Sequence, residues 1–138
     1  MKSTTQKFIK ELENKEIVYE ILSEENDGND VVKVLIVGSN AKEITILISF
    51  EEGNTAMLVG CGIKVPENKK FSFLQKINEL NCKYKWAKFE LLDGNDLVLG
   101  REDKLYENNA GDIVLSSMAN LFAIADDTYP EFMKIMWS

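Results

Sequence analysis

The sequence predicts an α+β domain, an antiparallel sheet of about six strands with helices mainly on one face. Three observations lead to this class. The apolar period is helical at both ends and strand-like between residues 17 and 63. The strand-like segments are joined by short Gly/Asn/Asp turns, which permit antiparallel neighbours only, since parallel pairs need crossovers of a dozen or more residues. Helical segments are too few to cover both faces of such a sheet. The predicted order is α-β-β-β-β-α-β-β-α, in one domain over residues 1–138.

The first helix opens on Ser3 and Gln6, the spacing of a capping box. Phe8, Ile9 and Leu12 form its stripe, and it should end near Asn14. Four strands follow, from Ile17 to Leu22, Val31 to Val37, Ile44 to Phe50 and Thr55 to Ile63. The third alternates most clearly, with Ile44, Ile46, Ile48 and Phe50 facing one way and Thr45, Leu47 and Ser49 the other. Their turns are Asn26-Asp27-Gly28-Asn29, Gly38-Ser39-Asn40 and Glu52-Gly53-Asn54, which makes the four strands a meander.

Pro66 then opens a second helix with Glu67 in its first turn. At 100° per residue, Phe71, Leu74, Ile77, Asn78 and Asn81 share one arc, read as the buried one. Tyr84 to Leu92 reads as a strand, turned by Asp93-Gly94-Asn95 into another from Asp96 to Gly100. The third helix is expected over Asp112 to Asp126, with Val114, Met118, Leu121 and Ala125 inward. Pro130 should restart or kink the chain into a short, largely apolar C-terminal helix.

Composition limits the function. The net charge is −7, divided as −5 over residues 1–62, +4 over residues 63–91 and −6 over residues 92–138. An acidic chain repels phosphate backbones and anionic lipid, so neither nucleic acid nor membrane is an expected partner. The N-terminus lacks a signal-like apolar core, no apolar run approaches a membrane span, and Cys61 and Cys82 do not make a disulfide framework. The expected location is the cytoplasm, with both thiols free and structural.

The absence of histidine excludes a Cys–His nucleophilic pair and most zinc, iron and copper sites. Gly60-Cys61-Gly62 is followed by strand rather than helix, which makes it a poor phosphate loop. Asp93-Gly94-Asn95-Asp96 lacks the spacing and closing glutamate of a calcium loop. Asp93/Asp96, Glu102/Asp103 and Asp126/Asp127 could serve a hydrolase only if two carboxylates converged in one cleft. Asp126/Asp127 sits where a helix should end and is read as a cap for the helix starting near Pro130. No catalytic residue, cofactor site or metal site is expected.

Two amides on an inward arc must find partners, because an unpaired buried polar group costs about 1–3 kcal/mol. Asn78 and Asn81 are therefore expected to hold the helix exit against the adjoining strand. Trp86, Lys88 and Glu90 alternate with inward Ala87, Phe89 and Leu91, which places a large aromatic on the open face of the sheet. Tyr84, Trp86 and Lys88, together with Phe132, Met133, Met136 and Trp137 of the apolar C-terminus, are the candidate protein interface.

Val65-Pro66, Ile77-Asn78-x-Leu80-Asn81, Trp86-Ala87-Lys88-Phe89-Glu90 and Asp126-Asp127-x-Tyr129-Pro130 together resemble the YbjN-domain family of bacterial sensory transduction regulators. That resemblance implies a fold similar to the type III secretion chaperones. It also implies a small, non-catalytic, often dimeric domain that binds protein. Pro66, Asn78 and Asn81 are its structural motif residues. A protein-binding or regulatory module, with a homodimer as the expected assembly, is the leading expectation. A small-ligand sensor with a pocket between helix and sheet, bordered by Asn78 or Asn81, is the alternative. A carboxylate or metal hydrolase is the third.

Overall fold

The computed structural model describes residues 1–24, 28–41 and 43–138, without the side chain of residue 61. The elements are α1 (Ser3–Asn14), β1 (Tyr19–Ser23), β2 (Asp30–Ile36), β3 (Ile44–Glu51), β4 (Thr55–Lys64), α2 (Lys70–Lys83), β5 (Lys88–Leu91), β6 (Asp96–Lys104) and α3 (Ala110–Met136). Their order is the one read from the sequence. Among the described residues the strands form one antiparallel sheet, ordered β1-β2-β3-β4-β6-β5. The turn read at Asn26–Asn29 lies partly outside the described residues.

Alternation decides the faces. Val32, Val34, Ile46, Ile48, Phe50, Leu58, Leu97 and Leu99 are fully buried beneath the helices. Leu35, Leu47, Met57, Val59 and Val98 alternate with them and are left exposed or half-buried on the other face. Gly62, at φ +64°, sits in a register shift between Cys61 and Ile63 that bends β4.

Helix α1 buries Phe8, Ile9 and Leu12 as its period requires. Its expected capping box does not form: Lys2 is the N-cap, and no side chain of the helix caps it. The buried carboxylate of Asp30, on β2, instead accepts the Lys2 N–H at 2.8 Å and the Thr5 hydroxyl at 2.7 Å. A tertiary carboxylate thus replaces the local cap and favours the positive end of the helix dipole. Burial pushes the Asp30 carboxyl up. The Lys2 N–H, the Thr5 hydroxyl and the charges of Lys2 and the N-terminus outweigh it and hold the group below the usual range.

Three boundaries or faces differ from the sequence reading. Helix α2 follows a 3-10 turn over Glu67–Lys69 and buries Phe73, Ile77 and Leu80. Phe71 (72% exposed), Leu74 and Asn78 therefore face solvent. Both arcs carry apolar residues, and the arc that wins is the one that meets Phe132: its ring lies 5.5 Å from Phe73 and 5.3 Å from Phe89. Strand β5 is shorter than read, so Tyr84 and Trp86 precede it, while β6 runs on to Lys104.

The third difference is at the C-terminus, where α3 is one helix of 27 residues with Pro130 inside it. Proline removes the N–H that would bond the carbonyl four residues back. That carbonyl belongs to Asp126, and the Asn40 side-chain amide donates to it at 3.1 Å. The helix continues because a loop supplies the missing donor.

Candidate binding surface

Asn81 is half-buried beside the edge strand β5. Its amide donates to the Phe89 carbonyl at 3.0 Å and accepts the Phe89 N–H at 2.7 Å. One side chain thus meets an edge residue as a further strand would, and covers that edge. The Lys88 ammonium donates to the Asn81 carbonyl at 2.9 Å. Asn78, expected to share this work, is exposed, because the buried arc of α2 is turned away from it. Pro66 stands at the start of the 3-10 turn, half-buried.

Trp86 is half-buried just before β5. The Arg101 guanidinium lies 4.0 Å from its ring centroid, and Arg101 Nη1 donates to the Trp86 carbonyl at 2.8 Å. Arg101 Nε donates to Asp103 at 2.7 Å, and Asp103 is buried with its other oxygen unpartnered. These contacts fix one wall of a depression of about 530 Å³ on the helix-free face. Its floor is Met57, Val59, Val98 and Gly100, and Lys88, Glu90 and Glu102 stand around it.

The sequence-predicted interface residues divide. Trp86 and Lys88 border this depression. Tyr84 packs half-buried against the core, with the Lys83 ammonium 5.2 Å from its ring. Phe132 is fully buried between Phe73 and Phe89, so it cannot meet a partner without unpacking the core. Met133 and Met136 pack half-buried in the helix layer, and Trp137 is 81% exposed there. The C-terminal residues therefore belong to the opposite side of the sheet from Trp86. Arg101, Met57, Val59 and Glu102 were missed. Reading β6 to its full length would have shown the alternation that puts Glu102 beside Met57.

The other expectations resolve locally. Phe73, Ile77, Leu80, Phe89 and Phe132 fill the space between α2 and the sheet, where the ligand pocket was expected. Glu102 borders the open face while Asp103 is buried beneath the helices, and Asp96 pairs with Lys64 at 3.3 Å. Asp126 is not a helix cap: it sits mid-helix and accepts the N–H groups of Ser39, Asn40 and Ala41 at 3.1, 2.9 and 3.0 Å. Cys82 is exposed near the end of α2, so it is not a packing residue. Among the described residues no group of three Cys, Asp or Glu side chains could hold a metal ion, and no helix is long and apolar enough to cross a membrane.

The model of the YbjN family, described as "Putative bacterial sensory transduction regulator", matches residues 10–133. The chain belongs to the YbjN family. A search of curated proteins gives no match. The matched span runs from α1 to the last turn of α3, so it includes the Asn81 bracket, the Trp86 depression and the Asp126 loop contact. The family description names a regulatory role.

Proposed function

We propose that this YbjN domain is a non-enzymatic regulatory module that works by binding another protein on the helix-free face of its sheet, in the cytoplasm. One observation carries the reading. The face leaves Leu35 and Leu47 exposed and Met57, Val59 and Val98 half-buried beside the Trp86 ring on which Arg101 stacks. A contiguous apolar surface with a fixed aromatic edge is the composition of a protein interface. Catalysis has no support in the geometry, because the carboxylate pairs read from the sequence do not converge.

Affinity capture from the source cell extract tests this. Wild type is compared with Leu47→Asp and Val59→Asp on the face, and with Asn120→Lys on the exposed side of α3. Partners retained by wild type and Asn120→Lys, and lost by both face variants, are the expected result. Partners that survive both face variants would reject it.

A homodimer is the second reading. The exposure of Trp137 and Phe71 favours it, and a Lys69–Ser138 contact of 3.2 Å ties the chain end to the start of α2. Light scattering on wild type and on Trp137→Ser distinguishes a helix-layer dimer from a monomer.

A further inference from the structure

Two kinds of charge surround the depression beside Trp86, and they are held differently. The Lys88 ammonium is held by the Asn81 carbonyl at 2.9 Å. The Arg101 guanidinium is held by Asp103 at 2.7 Å and by the Trp86 carbonyl at 2.8 Å. Glu90 and Glu102 also line the depression, are exposed, and have no ion-pair partner among the described residues. Arg101 is neutralised by Asp103 and Lys88 is tied back to the Asn81 carbonyl while keeping its charge, and the two carboxylates are left without a tie of either kind among the described residues.

The register fixes where those carboxylates stand. Glu90 lies opposite Val98, Lys88 opposite Gly100, and Glu102 opposite Met57. Val98, Gly100 and Glu102 follow one another on the outer side of β6, so at about 3.3 Å per residue the backbone positions of Glu90 and Glu102 are offset by about 13 Å along the strands, one strand apart. Between them is Gly100, where an added Cβ would meet only the Leu58 carbonyl, at 3.6 Å. The centre of the depression therefore has room for a side chain, with Val59 across the ladder and Trp86 at the margin.

We propose that this depression takes an extended segment of a partner protein that carries one apolar side chain between two basic ones. The apolar side chain sits over Gly100, and the basic residues, four apart, reach Glu90 and Glu102. An extended chain covers four residues in about 13 Å, which matches the offset of the two glutamates along the strands. Apolar burial supplies affinity, and the paired carboxylates supply register and selection against acidic segments. The net charge of −7 favours the encounter. The inference rests on the reading of this face as an interface and adds the chemistry of the partner.

The test uses the full chain with Trp137→Phe, which leaves Trp86 as its one tryptophan. Two synthetic peptides are titrated, lysine-serine-leucine-serine-lysine with neutral flanks and its counterpart with glutamate for lysine, and Trp86 emission is read. Saturable binding of the basic peptide alone is expected. Glu90→Gln and Glu102→Gln should each weaken it about tenfold. Glu90→Lys with Glu102→Lys should reverse the preference. Gly100→Val should abolish binding of either peptide with an unchanged melting curve.

Equal binding of both peptides, no binding of either, or binding insensitive to the glutamate variants would overturn the proposal. Full competition by spermidine would also overturn it, in favour of a small cationic ligand. If Val59→Asp still abolishes partner capture while peptide charge has no effect, the face remains an interface and only the basic-segment inference fails.

Discussion

Asp126 accepts the backbone N–H of Ala41 at 3.0 Å across 85 residues of sequence. The contact joins the middle of the longest helix to the loop between β2 and β3. Ser39 and Asn40 donate to the same carboxylate, and Gly38 leaves it room, since a Cβ there would come within 2.9 Å of Asp126 Cγ. Three aligned N–H groups form an anion-binding concavity, and the protein fills it with its own side chain.

Replacing Asp126 should therefore be costly. Asp126→Ala leaves the buried Ala41 N–H and the part-buried Ser39 and Asn40 N–H groups without their acceptor, and should cost about 2–4 kcal/mol. Asp126→Asn keeps one acceptor oxygen and should cost about 1–2 kcal/mol. Urea denaturation checks both, and a loss below 0.5 kcal/mol for Asp126→Ala would contradict the assigned role.

The same contact sets a pH dependence. The Ala41 N–H lowers the Asp126 carboxyl, burial opposes it, and the Asn40 and Ser39 N–H groups lower it further, so the net position is below the ordinary 3.8. A carboxyl depressed in the folded state contributes stability that is fully present above its unfolded value and lost as pH falls through the folded one. The contribution is thus constant from neutral pH to about pH 4–5 and declines as pH falls past 3.8 and through the lower folded value. Asp126→Asn should flatten that part of the acid-stability curve. Asp30 is depressed in the same direction, so the single variant removes only part of the slope.

The two asparagines of α2 should separate cleanly. Asn81→Ala breaks both bonds to Phe89 and leaves the edge of β5 unguarded. It should lower stability by about 1–3 kcal/mol and raise aggregation on heating. Asn78→Ala, on the exposed arc, should stay within about 0.5 kcal/mol of wild type. Equal effects in thermal melts would mean that α2 is turned differently from the orientation described.

How much of this was legible in the sequence depends on the range of the signal. The clean alternation of Ile44 to Phe50 survives unchanged, because the outward and inward residues of a half-covered strand carry the pattern themselves. Helix α2 defeated the same method: Phe71 and Leu74 compete with Phe73 and Leu80 on either side of Ile77, and Phe132, about 60 residues from Phe73, chooses between them. Pro130 signals a break, and the reason there is none lies in Asn40. Of the candidate surface, Trp86 and Lys88 were readable by alternation. Arg101 was not, since its partners Trp86 and Asp103 are brought to it by the β5–β6 ladder and by a strand longer than its apolar part.

The C-terminus gives a contrast between core and surface. Phe132→Ala removes a ring packed against two others and should cost about 3–5 kcal/mol. Trp137→Ala, 81% exposed, should stay within about 0.5 kcal/mol of wild type. Guanidinium melts of the two variants provide the comparison, and a large loss for Trp137→Ala would show that this residue is covered in solution by another chain.

Arg101 should matter through Asp103 more than through Trp86. Arg101→Leu leaves the Asp103 carboxylate buried beneath the helices without its cation, at a cost of about 3–5 kcal/mol. Stacking on Trp86 at the surface is worth only about 0.5–1 kcal/mol, so its loss is the smaller part. The double variant Arg101→Leu with Asp103→Leu removes both charges and should recover much of the stability, because an apolar pair needs no desolvated charge. Trp86 emission should report the lost stacking equally in the single and double variants. Recovery of stability without recovery of the emission change would separate the two roles of Arg101, and a double variant no more stable than the single one would mean that packing, not the stranded carboxylate, accounts for the loss.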